Sequence, residues 1–311
     1  MEQGLVCKRL SKRYGEGNPP ALENVSFTVP ANGIFAIIGR NGAGKTTLTR
    51  ILATELLPTS GSAMIDGLDV VKDADEVRER IAILPQESRA IPWLTPRQSI
   101  YSYLLYRGWD RKAARTQADA ALKQMGIYKH GNKLTRLMSG GTKRKTLVAT
   151  VLASDAKIIF VDEPTTGLDP LSRAELWSVL TELKKDHFIF LTTHYLEEAE
   201  KLADMIGILE AGRLVAMGTM EQLREKVKYQ YSVRVLDKGK TINEKTGYKV
   251  KGSDGTMQII TTQEHANKLA RQMIKQKIKF AINPISLEDI FYYMVKKPIN
   301  DEDESNEEEY W

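Results

Sequence analysis

Between residues 33 and 218 the chain alternates short, nearly unbroken apolar runs with longer stretches of helical pattern. GIFAIIG (33–39), IAILP (81–85), KIIFVDEP (157–164), FIFLTTH (188–194) and IGILEAG (206–212) each have the length of one strand. Runs that are apolar at nearly every position predict parallel strands buried on both faces. The helical material between them predicts a layered α/β domain. From about residue 93 to 153 the pattern is almost entirely helical, through PRQSIYSYLLYRG, RKAARTQADAALKQMG and KRKTLVATVLAS. This stretch predicts a helical lobe inserted into the sheet domain.

After residue 220 the texture changes. YQYSVRVL alternates as a half-exposed strand, and GYKVKGSDGTMQIITT predicts a hairpin around Ser253-Asp254-Gly255. A helix from Gln263 to Lys277, a strand near KFAINPI and a helix over SLEDIFYYMV follow. The expected organisation is an α/β domain over 1–220, a small accessory α+β domain over 221–300, and an acidic disordered tail over 301–311.

Composition changes this picture little. With 42% hydrophobic and 27% charged residues, the chain has ample apolar material for a core. Its one cysteine, Cys7, permits no intramolecular disulfide and argues against structural zinc, which fits a reducing cytoplasmic setting. Asn24-Val25-Ser26 matches a glycosylation acceptor, but the start of the chain lacks the apolar core of a secretory signal. No apolar run approaches the roughly 18 residues of a transmembrane helix, so work at a membrane would need another chain to supply the span. The last eleven residues hold seven acids. Residues 1–300 therefore set 45 basic against 33 acidic side chains, a net charge of +12. Such a body suits contact with nucleic acid or an anionic membrane, and equally suits a well-solvated surface.

The chemistry begins at GRNGAGKTT, residues 39–47, which satisfies G-x-x-x-x-G-K-[ST] between an apolar strand and the helix-compatible LTRILATELL (48–57). Gly39, Gly42 and Gly44 let the backbone approach phosphate oxygens, with Arg40, Asn41 and Ala43 completing the loop. Lys45 is placed to reach the β- and γ-phosphates, Thr46 to ligate Mg²⁺, and Thr47 to donate near the α-phosphate. KIIFVDEP ends its strand in two carboxylates. Asp162 is expected to hold Mg²⁺, and Glu163, one residue further out, to polarise an attacking water.

Together with five further motifs in order, these residues resemble an ABC transporter ATPase subunit over roughly residues 5–220. Tyr14 in SKRYGEG resembles the aromatic that stacks on adenine. Gln86 in ILPQES resembles the glutamine that joins the sheet core to the helical lobe and touches Mg²⁺ or the water. MSGGTKRK (138–145) stands at the signature sequence, GLDP places Asp169 at the D-loop, and LTTHYLEEAE places His194 at the switch histidine. The resemblance implies a P-loop NTPase core with an inserted helical lobe, and a head-to-tail dimer that sandwiches two ATP molecules. In such a dimer Ser139, Gly140, Gly141, Thr142 and Asp169 contact ATP held by the other subunit. The usual signature is Leu-Ser-Gly-Gly-Gln; here Met138 and Thr142 replace its first and last residues. Met preserves the volume of Leu, whereas Thr142 lacks an amide that can reach ribose or the facing loop.

The resemblance also implies partners: a second ATPase subunit and a separate transmembrane permease, with this chain peripheral on the cytoplasmic face. The permease would dock near Gln86, where Trp93 lies between Pro92 and Pro96; the neighbouring tyrosines serve equally as the lobe's own core. The SGG–KRK order and SLEDIFYYM look like the export-type branch. The rival reading is a soluble ABC ATPase acting on ribosomes or nucleic acid. One cassette per chain and the lack of sustained heptads argue against it, and no nucleic-acid partner is expected.

Overall fold

The computed structural model describes residues 4–86, 88–237, 248–251 and 257–296. The chain divides between Leu214 and Val215 into two compact units.

In the first unit, the elements in order are β1 (Leu5–Lys12), β2 (Leu22–Val29), β3 (Ile34–Ile38), α1 (Lys45–Leu52), β4 (Ser60–Ile65), β5 (Leu68–Asp69), α2 (Ala74–Arg80) and β6 (Ile81–Leu84). Next come α3 (Pro96–Tyr106), α4 (Arg111–Gln124), α5 (Gly140–Leu152), β7 (Ile158–Asp162), α6 (Pro170–Leu183), β8 (Phe188–Thr193), α7 (Leu196–Leu202), β9 (Met205–Glu210) and β10 (Arg213–Gly218). Among the described residues, β10-β9-β3-β8-β7-β6 form one sheet, in which β9, β3, β8, β7 and β6 pair in parallel. Every residue of β3, β7 and β8 is buried, as continuous apolar runs require when helices cover both faces. The boundary between the units falls inside β10.

The sequence reading did not anticipate a second sheet, the antiparallel β2-β1-β4-β5. In β2 the inward residues Leu22, Val25, Phe27 and Val29 alternate with polar ones, the pattern of a sheet with one wet face. Phe27 carries the core across. Its ring lies 5.3 Å from Phe35 on β3, which in turn lies 5.8 Å from Phe190 on β8. Helix α1 also departs from expectation. It stops at Leu52, with Ala53 as its cap and Thr54 in the left-handed region at φ 64°, so only the first half of LTRILATELL is helical.

The expected lobe consists of α3, α4 and α5 packed on one another, with Ile100, Leu104, Ala118, Leu122 and Val148 in its core. Local signals start each helix. Thr95 and Gln98 form a reciprocal capping box ahead of Pro96, Asp110 caps α4, and Ser139 caps α5. Arg107, at the end of α3, donates to the carbonyls of Arg78, Glu79 and Ile81 and so fastens the lobe to α2 and β6.

Helices α6 and α7 meet through a buried polar bond, in which Trp177 Nε1 donates to Glu198 Oε1 at 2.9 Å. Glu198 is fully buried, and that burial raises its pKa above the usual carboxylate range. Trp177→Phe keeps one aromatic ring but removes the pyrrole part of the buried indole and with it the donor to a buried carboxylate, so a loss of at least about 1–3 kcal/mol of stability is expected. The penalty should shrink as pH falls and the carboxyl takes up its proton, because protonation favours the folded state when the folded pKa is raised. Urea melts of both proteins at two pH values check this.

The second unit contains α8 (Met220–Glu225), β11 (Tyr231–Val235), β12 (Tyr248–Lys251), β13 (Met257–Thr261), α9 (Gln263–Lys275), β14 (Phe280–Pro284) and α10 (Leu287–Lys296). Its strands pair antiparallel in the order β12-β13-β11-β14. Helix α9 lays Ala266, Leu269 and Met273 on Val233, Val235 and Ile259. The antiparallel pairing of β12 with β13 is that of the expected hairpin, whose turn at 253–255 lies outside the described residues, as does the acidic tail. No helix among the described residues is long and apolar enough to cross a membrane.

Candidate active site

Strand order assembles the site. β3, β8, β7 and β6 are successive neighbours in the parallel sheet, so their carboxyl ends lie side by side. β3 leads into the glycine loop and Lys45, β8 into His194, β7 into Asp162 and Glu163, and β6 into Gln86. Residues more than 100 positions apart thus converge at one edge, the usual ligand position in an open parallel sheet.

The loop is shaped by close approach. A side chain on Gly39 would meet the Leu209 carbonyl oxygen at 2.3 Å. Gly44, at φ 104°, would place one 2.4 Å from the Ala21 carbonyl oxygen, in a conformation that only glycine adopts without strain. Helix α1 opens directly from Gly44 with no side-chain cap, so its first backbone N–H groups have no side-chain acceptor. Those amides and the bare glycine backbone fit a phosphate group. Lys45, only 5% exposed, lays its Nζ across the loop, 2.9 Å from the Gly39 carbonyl and 3.2 Å from that of Arg40.

The carboxylates sit opposite. Asp162 is buried, which raises its pKa, while hydrogen bonds from Thr192 and Thr46 pull it back down. A hydroxyl and a carboxylate held together at the start of α1 and the end of β7 are hard oxygen donors, the set that suits Mg²⁺. Glu163 leaves the strand with φ at 48°, in the left-handed region, and its N–H donates to the Thr192 carbonyl at 3.0 Å. That turn aims its buried carboxylate at three of the sequence candidates. Gln86 Nε2 donates to Oε2 at 2.9 Å, His194 Nδ1 lies 3.1 Å from the same oxygen, and Lys45 Nζ lies 3.5 Å from Oε1. The His194 contact lacks hydrogen-bond alignment, so the imidazole stands beside the carboxylate without committing a proton to it. Tyr14 stands half exposed beside α1, its hydroxyl 3.3 Å from Thr47 Oγ1, and offers a flat ring next to the loop.

The ABC transporter family profile matches residues 22–166. The daunorubicin resistance ATP-binding protein DrrA3 of Streptomyces coeruleorubidus is 40% identical over 224 residues, which cover 72% of this chain and 70% of that protein. This chain belongs to the ABC transporter family. The human retinal-specific phospholipid-transporting ATPase ABCA4 is 34% identical over 253 residues, which cover 81% of this ABC chain but only 11% of that much longer protein. Among solved structures, an ATP-binding subunit of an ABC transporter superposes with a TM-score of 0.64 at 28% identity, covering 71% of this chain and 92% of that one. A dimeric ATP-binding cassette in a post-hydrolysis state with ADP and Pi gives 0.63 at 25% identity, covering 70% and 98%. The chain is accordingly an ABC ATPase that binds ATP with Mg²⁺ and hydrolyses it.

The remaining sequence candidates of this ABC ATPase form a second cluster. Ser139 caps α5 by accepting from the Thr142 amide at 3.3 Å, and its hydroxyl also lies 3.0 Å from the Thr142 hydroxyl. The shorter residue in the signature therefore binds back onto the capping serine. Asp169 caps α6, accepting from the amides of Leu171 and Ser172 and from the Ser172 hydroxyl at 2.6 Å, and these bonds hold its pKa below the usual carboxylate range. A side chain on Gly141 would meet the Ser172 hydroxyl at 2.8 Å, so the starts of α5 and α6 touch. Gly140 has open space where a side chain would stand.

Sequence reasoning missed Arg144, Thr192 and Tyr195. Thr192 donates to Asp162, and the Tyr195 ring stacks 4.1 Å from His194. Arg144 stands in the KRK run, which by sequence read only as part of a helix and of the signature order. Its spacing to Val148 and Val151, four and seven positions on, marks it instead as a member of the buried face of α5.

Proposed function

We propose that this chain is the ATP-driven subunit of an export-type ABC transporter, working as a head-to-tail dimer on a separate transmembrane permease at the cytoplasmic face of the membrane. The observation that carries the reading is the division of the family motifs into two clusters. Lys45, Thr46, Gln86, Asp162, Glu163 and His194 converge on the glycine loop, whereas Ser139, Gly141, Thr142 and Asp169 gather at the starts of α5 and α6. The second set has phosphate-binding chemistry and no glycine loop of its own, which makes sense if it caps the ATP of another subunit. The dimeric solved relative, the drug-resistance function in the name of the daunorubicin relative and the phospholipid transport in that of the human relative support the same reading.

In this reading Tyr14 stacks on adenine, and the loop from Gly39 to Gly44 with Lys45, Thr46 and Thr47 holds the phosphates. Thr46 and Asp162, with Gln86, would hold Mg²⁺, which when bound would supply charge neutralisation to the phosphates. Glu163 accepts a proton from a water as the oxygen of that water bonds to the γ-phosphorus. The bond to the bridging oxygen breaks and ADP leaves. His194 and Gln86 keep Glu163, water and phosphate in register, and Ser139 with the Gly140 and Gly141 amides of the other subunit stabilises the charge of the loose transition state. Trp93, 72% exposed on the lobe, is the proposed docking residue for the permease; Tyr103 is partly buried within α3 and serves the lobe itself.

Affinity purification of the tagged chain from its native cells in mild detergent tests the proposal. A polytopic membrane protein is expected to co-purify in stoichiometric amount. Recovery only from the soluble fraction, with ribosomes or nucleic acid, would overturn the permease assignment and favour a soluble ABC machine.

A further inference from the structure

Arg144 lies in the second turn of α5, five residues beyond Ser139, and is only 9% exposed. A buried guanidinium is costly to desolvate, and burial does lower its pKa here. It is compensated by backbone. Nε donates to the Pro164 carbonyl at 2.8 Å, Nη2 to those of Glu163 at 3.0 Å and Asp162 at 3.3 Å, and Nη1 reaches that of Gln86 at 3.5 Å. One side chain thus grips three consecutive carbonyls at the end of β7 and a fourth at the end of β6.

The grip falls where the backbone is strained. Glu163 has φ at 48°, a left-handed region that is strained for a residue with a side chain. Its N–H is tied to the Thr192 carbonyl at 3.0 Å and its own carbonyl to Arg144, so both sides of the turn are fixed from outside it. The same guanidinium holds the carbonyl of Gln86, whose side chain meets the Glu163 carboxylate at 2.9 Å.

We propose that Arg144 is a positioning residue for ATP hydrolysis: it holds the Glu163 turn and the Gln86 backbone in the arrangement that aims the carboxylate, and it roots both in the helix whose first turn carries Ser139 and Thr142. This rests on the reading of Glu163 as the group that polarises the attacking water. The start of α5 faces the ATP of the other subunit in that reading, so Arg144 links what α5 senses there to the chain's own carboxylate. A guanidinium suits the task because its rigid fork serves several carbonyls at once, which an ammonium does not. The hydrogen bonds of Arg144 go to Gln86, Asp162, Glu163 and Pro164 rather than to the glycine loop, so nucleotide affinity is expected to be largely independent of it.

The test is steady-state ATPase kinetics on the full-length chain, with rates expressed per site titrated by a fluorescent MgATP analogue so that loss of folded protein does not count. Arg144→Met is expected to lower kcat about tenfold or more while KM for ATP stays within about twofold, and Arg144→Lys to recover part of the rate. In a Glu163→Gln background, Arg144→Met is expected to add little further loss, since two residues acting through one carboxylate are not additive. An unchanged kcat in Arg144→Met, a rise in KM alone, or losses that multiply in the double variant would overturn the proposal. A Glu163→Gln protein that turns over like wild type would instead overturn the underlying assignment of Glu163. An inert Glu163→Gln beside a fully active Arg144→Met would overturn the role of Arg144 alone.

Discussion

Glu163→Gln is expected to lower the rate of ATP hydrolysis about 10²–10⁴-fold while leaving ATP binding intact, the range that a positioned proton acceptor contributes. The carboxylate is 5% exposed and lies within 3.5 Å of Gln86, His194 and Lys45, so its environment is fixed before substrate arrives. The amide that replaces it has the same volume and still offers an oxygen to Gln86 Nε2. What it loses is the basicity needed to take a proton from water. Because neither the glycine loop nor Thr46 is altered, the nucleotide affinity should stay within a few-fold, on the order of RT in free energy. A ligand that is bound but not consumed holds the dimer it bridges, so size-exclusion chromatography in MgATP should shift from monomer toward dimer. Single-turnover hydrolysis and chromatography together decide. Wild-type turnover in this variant would remove Glu163 from the mechanism.

Lys45→Ala should fail one step earlier. Its ammonium spans the loop by hydrogen bonds to Gly39 and Arg40 and stands 3.5 Å from Glu163, in a place reached from the phosphate-binding backbone on one side and the carboxylate on the other. Hydrogen bonds to charged groups contribute about 1.5–3 kcal/mol each, so losing one or two of them from the phosphates is expected to weaken ATP binding by roughly 10- to 10⁴-fold. The substitution also strands the Glu163 carboxylate in a buried position without its nearest cation, so some loss of stability accompanies the loss of affinity. Calorimetric titration with MgATP measures the first and a thermal melt without nucleotide the second. The two variants should separate, since one is expected to bind ATP without hydrolysing it and the other to bind it far more weakly. A Lys45→Ala protein with wild-type ATP affinity would show that the loop binds nucleotide through backbone alone.

What could be read from the chain was whatever depends on residues close together. GRNGAGKTT is legible because the glycines, lysine and threonines proposed to hold the phosphates lie within nine residues, and the apolar run before it fixes the strand that presents them. KIIFVDEP is legible for the same reason, as are the capped starts of α3 through α6, where Thr95, Asp110, Ser139 and Asp169 each bond an amide two or three residues on. The second unit followed from alternation in its strands and the amphipathic pattern of α9.

Other features depend on partners distant in sequence. The antiparallel sheet pairs Leu5 with both Val29 and Ile65, and no local pattern in β1 names either partner. The end of α1 at Leu52 was misjudged because Ala, Glu and Leu favour helix, while the chain must turn there to enter β4. The left-handed turn at Glu163 is invisible in the letters DEP. It persists only because Thr192 and Arg144, from another strand and another helix, tie its two peptide groups.

The sequence by itself determined the ATP-binding loop, the paired carboxylates and the parallel α/β core, because each is a short-range demand of backbone geometry or of burial on both faces. Only the tertiary structure decided that β3, β8, β7 and β6 stand side by side, that their ends bring Lys45, His194 and Gln86 within reach of the Glu163 carboxylate, and that the Arg144 side chain is buried against the same turn. The physical reason is that strand order and buried donor–acceptor pairing are set by long-range packing, where the contact exists only once both partners have been brought out of water.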